Sequence, residues 1–306
     1  MRLLVVGAGS TGGYVGGRLA EKGRDVTFLV RPGRAAQLRE QGLRIKSPHG
    51  DTTLQPKVLT ASEISAPFDA ILLTVKGFQL ESAMEDIAPA VGPETMILPF
   101  LNGMRHMEVL SHRFTPHNVP GCVLKIATVL EDDGRIVQLT PMIDLAYGEL
   151  DGTTTPRMRA LDEFMQGANV GARLSPGIHR EMWEKWILLS SLGAITCLMR
   201  GTIGEIEAVP GGAAFALQVF DEVVAIVKAE GVPPSDAFLS ATRQQITAKG
   251  SPAAPSMYRD LQSGRPVEVE NIIGDLVRLG TKAGITCPLL SAAYANLSLY
   301  QKRISQ

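Results

Sequence analysis

The sequence predicts an α/β N-terminal domain, built on a parallel sheet with some antiparallel strands, followed by an all-α C-terminal domain. Three observations predict it. In the first half of the 306-residue chain, short continuous apolar runs alternate with helical patterns, as expected of strands buried on both faces and joined by crossover helices. Between about 120 and 150 the pattern switches to period two around an Asp-Gly turn, which signals antiparallel strands. From about Pro176 onward helical periodicity is nearly unbroken. The boundary falls near 172–178, giving domains 1–175 and 176–306.

The elements follow in order. "RLLVV" (2–6) is the first strand, and a helix runs from Gly12 to about Lys22. "DVTFLV" (25–30), "AILLTV" (70–75) and "TMILPF" (95–100) are further strands, with the helix "LESAMEDIAPAV" between the last two. "KIATVLEDDGRIVQLT" and "IDLAYGEL" supply the antiparallel strands. The helical half holds "GIHREMWEKWILLSSLGAITCLMR" as one long helix. "GGAAFALQVFDEVVAIVKAEG" follows, closed by Gly231. "RPVEVENIIGDLVRLGTKAG" starts with Pro266 near its first helical position and ends near Gly280 or Gly284, and "CPLLSAAYANLSLYQKR" is the last helix.

Composition narrows the function classes. Hydrophobic residues make up 45%, charged residues 20%, and the net charge is -1, so nothing in the charge balance argues for a nucleic-acid or anionic-membrane partner. Cys122, Cys197 and Cys287 are few, odd in number and far apart, which disfavours a disulfide framework and a zinc site. The longest uncharged helical run, Trp186 to Met199, is short for a membrane span. "MRLLVVGAG" has too short an apolar run for a signal peptide. The expectation is a cytoplasmic protein that acts on a small molecule, with monomer and homodimer both open.

The most informative local stretch is "LLVVGAGSTGG". Gly7-x-Gly9-x-x-Gly12 stands directly after a strand and at the start of a helix. In that context the first glycine allows a tight turn, and the second lets the backbone approach a pyrophosphate. The third allows close helix–strand packing, while the helix N-terminus supplies donors. This is the fingerprint of a Rossmann-type dinucleotide site. About twenty residues on, where an acid would bind the ribose 2′-hydroxyl of NAD, the second strand ends in "FLVRPGR". A cation there suits a 2′-phosphate, so Arg31, with Arg34 close by, favours NADP. The alternative for either arginine is a solvated surface residue.

"EMWEKWILLSSLGAITCL" poses a separate question: Lys185 stands at the edge of a helix built for burial. A buried ammonium is costly without a partner or a task. Lys185, Leu188, Leu189, Leu192 and Thr196 share one helical face, so the lysine caps an apolar stripe. It either snorkels or faces a dry cleft, and periodicity alone leaves both open. His106 and His179 have no catalytic partner at a readable spacing and read as structural.

Five separated segments then fit one family. "GAGSTGGYVG", "LLTVKGFQ" (72–79), "LNGM" (101–104), "WEKW" (183–186) and "SMYRDLQSGRPVEVENIIG" (256–274) occur in order across nearly the whole chain. Together they resemble the ketopantoate reductase (2-dehydropantoate 2-reductase) family, whose second domain is like that of 6-phosphogluconate dehydrogenase. The resemblance implies reduction of a 2-oxo acid to a 2-hydroxy acid with NADPH. It implies that Lys185 is the general acid, Glu268 its carboxylate partner and Ser256 a ligand of the substrate carboxylate. Lys76 and Asn102 would lie beside the nicotinamide and the reacting carbon. Read from the residues alone, Glu268 is a carboxylate in the first turn of its helix, where the helix dipole favours it, and Glu270 competes for the role. Asn102 could be a plain turn residue and Lys76 a solvated lysine.

The chain also departs from the family pattern. Asparagines usual one and two turns after the lysine fall near Leu189 and Gly193. Two further asparagines fall near Ile203 and at Ala253. The oxo-acid machinery is kept while polar ligands for other substrate groups are missing. The first candidate reaction is therefore ketopantoate to pantoate, a step of pantothenate biosynthesis, and the second is reduction of another branched 2-oxo acid. A dehydrogenase of the wider 6-phosphogluconate-like group, or a non-catalytic NADP-binding sensor, are the remaining readings.

Overall fold

The computed structural model describes residues 1–304 and separates two units. The first holds Met1–Leu101 and His106–His179; the second holds Asn102–Arg105 and the chain from Arg180 onward. The division falls inside the long helix rather than before it. The turn Asn102–Arg105 groups with the helical unit, although the chain on either side of it belongs to the first, because Met104 packs on the helical core.

The first unit runs β1 (Arg2–Val6), α1 (Ser10–Glu21), β2 (Asp25–Leu29), α2 (Pro32–Gln41), β3 (Leu43–Lys46), β4 (Thr52–Leu54), β5 (Lys57–Leu59), β6 (Ala70–Leu73), α3 (Leu80–Ile87), β7 (Met96–Pro99), α4 (Arg105–Arg113), β8 (Gly121–Leu130), β9 (Ile136–Gly148), α5 (Pro156–Met165) and β10 (Ala172–Leu174). A parallel sheet has the order β5-β2-β1-β6-β7, with Leu3 opposite both Val26 and Ala70. From Leu3 to Val6 and through β6 its central strands are apolar because both faces are covered: Leu3, Leu4, Val5, Ile71 and Leu72 are fully buried. The chain winds outward from β1 to β2, then crosses over to β6 on the other side of β1. That reversal leaves a crevice at the carboxyl ends of β1 and β6, the usual ligand position in such sheets.

A second sheet has the order β10-β9-β3-β4, and β8 pairs antiparallel with β9 around the Asp-Gly turn. α1 packs on both sheets through small residues: Gly16 faces Val5 and Phe28 of the first, Gly17 faces Leu43 and Ile45 of the second. Four strands, β3, β4, β5 and β10, carry no sequence signal. They are three or four residues long and only partly buried, too short for a period-two pattern to register.

The second unit packs α6 (Ile178–Met199), α7 (Ile203–Glu207), α8 (Gly212–Ala229), α9 (Asp236–Ile246), α10 (Ser256–Gln262), α11 (Asp275–Lys282) and α12 (Pro288–Ile304). Their core includes Trp186, Phe220, Val223, Val227, Leu276, Leu290 and Leu297. No helix among the described residues is long and apolar enough to cross a membrane. One expectation changes here. Residues 265–268 are not helical; the helix that leads into α11 starts at Val269 and opens with a π turn, Glu270–Gly274. The Val267 N–H is satisfied by Gln301 Oε1 at 2.9 Å instead of by a helical carbonyl. Glu268 is the cap residue, its carbonyl accepting from Ile272 N at 3.1 Å.

Candidate active site

The glycine loop sits at the crevice between the ends of β1 and β6. Gly7 has φ of 93°, a conformation open to glycine at no steric cost. A Cβ on Gly12 would collide with Thr74 Oγ1 and the Gly7 carbonyl. The Thr74 hydroxyl donates to Val6 O at 2.8 Å, so this residue of "LLTVKGFQ" locks the loop to the end of β6. Gly9 caps α1, and nothing lies within 4 Å of where its Cβ would be. An open backbone face at a helix N-terminus fits the pyrophosphate of a dinucleotide, so the loop can hold NADP or NAD.

The two arginines after β2 part company. Arg31 is exposed at the strand end and caps α2. Arg34 is half-buried; its Nε and Nη2 donate to Ala8 O at 3.3 and 3.1 Å, and Nη2 also reaches Gly134 O at 3.2 Å. Burial, with Arg44 adding to it, holds the Arg34 guanidinium below the ordinary arginine value. Arg34 therefore straps the glycine loop to the β8–β9 turn, whereas Arg31 stands exposed at the end of β2. Lys76 stands half-buried just after β6, capping a short 3-10 turn in which its N–H faces Gln79 Oε1 at 3.4 Å.

In the second unit "WEKW" is a row of anchors around one lysine. Trp183 and Trp186 are buried, with ring centroids 5.4 Å apart. Glu184 Oε1 accepts from Ser235 N and Oγ, both at 2.8 Å, tying α6 to the start of α9. Trp186 Nε1 donates to Ile272 O at 2.9 Å. Three side chains thus fix the rotation of α6, and Lys185 is half-buried on the remaining face. Its stripe continues through half-buried Leu188 and Leu189 to buried Leu192 and Thr196.

Glu268 is only 6% exposed, and its Oε2 accepts from Asn102 Nδ2 at 3.2 Å. Two residues 166 positions apart in the sequence are brought together here. The competitor Glu270 is committed elsewhere: its Oε1 accepts from Tyr294 Oη at 2.8 Å and its Oε2 pairs with Arg278 at 3.1 Å. Ser256 is exposed at the first position of α10, and its neighbour Met257 is buried. The Met257 methyl covers Gly193, so a side chain there would strike it. Ile203 is buried, and its N–H donates to Ala253 O at 3.2 Å. The four departures are thus all buried or half-buried apolar positions, on α6, α7 and the segment before α10.

The sequence reading did not single out Thr74, Trp186 or Met257. All three lie inside the matching segments, but their roles rest on contacts with distant residues.

Comparison with known proteins agrees with this geometry. Residues 3–152 match the family described as ketopantoate reductase PanE/ApbA, and residues 177–301 match ketopantoate reductase PanE/ApbA C terminal. The chain is 35% identical over 301 residues to a Bacillus subtilis (strain 168) protein named uncharacterized oxidoreductase YkpB, covering 98% of this chain and 99% of that one. It is 26% identical over 290 residues to the 2-dehydropantoate 2-reductase of Streptococcus pyogenes serotype M1, covering 94% of each. Among solved structures, the 2-dehydropantoate 2-reductase from Geobacter metallireducens GS-15 superposes with a TM-score of 0.88 at 27% identity, over 98% of this chain and 99% of that one. Matched over both of its halves, the chain belongs to the ketopantoate reductase family of oxidoreductases.

Proposed function

We propose that this chain reduces a small 2-oxo acid to the 2-hydroxy acid with NADPH. The observation that carries the reading is the buried Glu268 carboxylate held by the Asn102 amide, in the unit whose long helix presents Lys185. A buried carboxylate is costly without a cation, and a half-buried ammonium is costly without an anion; pairing Lys185 with Glu268 answers both. Bound at the glycine loop, NADPH supplies the hydride. As the carbonyl carbon gains a hydrogen with its electron pair, negative charge grows on the carbonyl oxygen. The Lys185 ammonium stabilises that charge and donates the proton that completes the alcohol. Glu268 keeps the lysine charged and oriented, and Asn102 holds the carboxylate in place. The exposed Ser256 hydroxyl binds the carboxylate of the acid, and Arg31 takes the 2′-phosphate of the coenzyme.

The substrate follows from the departures. Two relatives are 2-dehydropantoate 2-reductases, so ketopantoate is the first acid to test. However, Leu189, Gly193 under Met257, and Ile203 beside Ala253 offer no side-chain donor to a substrate hydroxyl. A site without such donors gains little from the hydroxyl and must still desolvate it. The expected outcome is weak discrimination between ketopantoate and a branched 2-oxo acid of similar size without the hydroxyl. The kcat/KM ratio should be below about 10², against roughly 10⁴ for a site that hydrogen-bonds the group. The measurement is loss of nicotinamide absorbance with both acids at saturating NADPH. A ratio of 10⁴ or more makes this a dedicated ketopantoate reductase, and no turnover with any 2-oxo acid removes the reading.

A further inference from the structure

We propose that the π turn Glu270–Gly274 is the positioning element of the reaction and that Trp186 is the positioning residue that couples the lysine helix to it; this rests on Lys185 and Glu268 working as a pair. Three contacts from different parts of the second unit meet on the turn. The Trp186 indole donates to Ile272 O at 2.9 Å, a buried bond. The Asn102–Gly103 turn seats against Asn271, whose carbonyl oxygen stands where a Gly103 Cβ would go, and Gly103 has φ of 83°. Glu268 stands two residues before the turn, and its backbone carbonyl accepts from Ile272 N.

The wide turn is needed for this convergence. Asp275 N–H bonds back five residues to Glu270 O, where an α-helix would reach back four. One extra residue rotates everything before it by about 100° relative to the helix that follows. α11 is fixed by packing of Leu276 in the core, so the π turn sets the azimuth at which Glu268 stands. It also displaces carbonyls from the regular helical ladder, and a buried carbonyl needs a donor. Trp186, next in sequence to Lys185, donates to one carbonyl of the turn, that of Ile272. The lysine, the carboxylate and the asparagine are thereby referred to one five-residue segment. Phenylalanine at 186 would keep an aromatic ring in the core but remove the indole donor from the Ile272 carbonyl.

The test is the titration of the Lys185 amine. It is read from the pH dependence of acetylation by acetic anhydride at low conversion, with peptide mass spectrometry, in the unaltered protein and in Trp186→Phe. A neighbouring carboxylate favours the charged amine, so a loosened pair titrates lower. Trp186→Phe should lower the midpoint by about half a pH unit or more and lower kcat about tenfold, with NADPH affinity within about twofold. Gly103→Ala acts on the turn from the other side, should shift the midpoint in the same direction, and serves if Trp186→Phe does not fold. A folded variant that loses thermal stability but keeps the midpoint has lost packing only, and that result overturns the proposal. Glu268→Gln separates the two ideas. If it leaves the midpoint unmoved, the Lys185–Glu268 pair fails, and the functional reading with it. If it lowers the midpoint while Trp186→Phe does not, only the positioning role fails.

Discussion

Around Gly7–Gly12 the working surface is backbone. The tight turn, the open face of Gly9 and the N-terminus of α1 are the face left open to a ligand, and side chains such as Thr74 and Arg34 brace them from behind. Around Lys185 the working surface is side chains anchored to residues far away in sequence: Glu184 on Ser235, Trp186 on the Ile272 carbonyl, Asn102 on Glu268. The difference predicts how each region breaks. The coenzyme loop fails when atoms are added, because a Cβ on Gly12 has nowhere to go. The lysine region fails when atoms are removed, because each functional group depends on a partner that holds it.

The largest expected effect lies in the second region. Lys185→Ala should lower kcat by roughly 10²–10⁴, the range for loss of a general acid. Binding of NADPH, measured by nicotinamide fluorescence, should change little. Glu268→Gln should also impair turnover. The double variant should lose much less than the product of the two effects, since groups that act as a unit are not additive. A Lys185→Ala protein that kept most of its kcat would reduce the lysine to a snorkelling side chain. That result would also erase the contrast between the two regions.

The same contrast explains what the sequence reveals. A strand, a glycine loop and a helix are local, so the Rossmann-type half and its coenzyme loop are legible from a dozen consecutive residues. The antiparallel strands β8 and β9 are legible because their Asp-Gly turn is local too. β3, β4, β5 and β10 are not, because three or four residues are too few for a strand pattern to register. In the helical half, Glu268 and Glu270 stand two residues apart with similar surroundings in the sequence. Only Asn102, reaching from another segment, and Tyr294 with Arg278 tell them apart. The π turn has no sequence mark, since nothing in "ENIIG" distinguishes it from an α turn. The start of that helix is hidden for the same reason: Pro266 looks like a helix opener until Gln301 takes the neighbouring N–H. Arg31 and Arg34 are likewise equivalent as letters and differ only through Ala8 and Gly134.

That pair of arginines gives the next prediction. Arg31 should supply a preference for NADPH over NADH of at least about tenfold in kcat/KM, or about 1.4 kcal/mol. Arg31→Asp should narrow or reverse it. Arg34→Ala removes no phosphate ligand but leaves the Ala8 carbonyl without its strap, so it should weaken NADPH and NADH alike, by several-fold, and lower thermal stability. Equal use of both coenzymes by the unaltered protein would sink the assignment of Arg31. A selective loss of NADPH in Arg34→Ala would move the phosphate contact to Arg34.

The smallest effect tests whether a side-chain anchor behaves the same way in the first unit, away from the coenzyme loop. Glu149 accepts from Arg157 Nε and Nη2 at 2.7 and 2.6 Å and from Thr155 Oγ1 at 2.7 Å. Thr155 caps α5, and Arg157 also donates to His117 O at 2.6 Å. The Arg157 hydrogen bonds hold the Glu149 carboxyl below its ordinary value of 4.5, with Thr155 helping and burial opposing. A depressed folded-state pKa means that the ionised form stabilises the fold. The contribution is complete above about pH 4.5 and is lost as pH falls through the lower folded value. Glu149→Gln should therefore cost about 1–2 kcal/mol at pH 7, measured by urea unfolding followed by circular dichroism. The gap between variant and parent should narrow below about pH 4.5, while coenzyme affinity and kcat at pH 7 stay unchanged. A gap that persists undiminished into acid would mean that the carboxylate's charge is not what anchors α5. A loss of coenzyme affinity would mean that the loop depends on distant side chains after all, and the division between a backbone-built and a side-chain-built region would no longer hold.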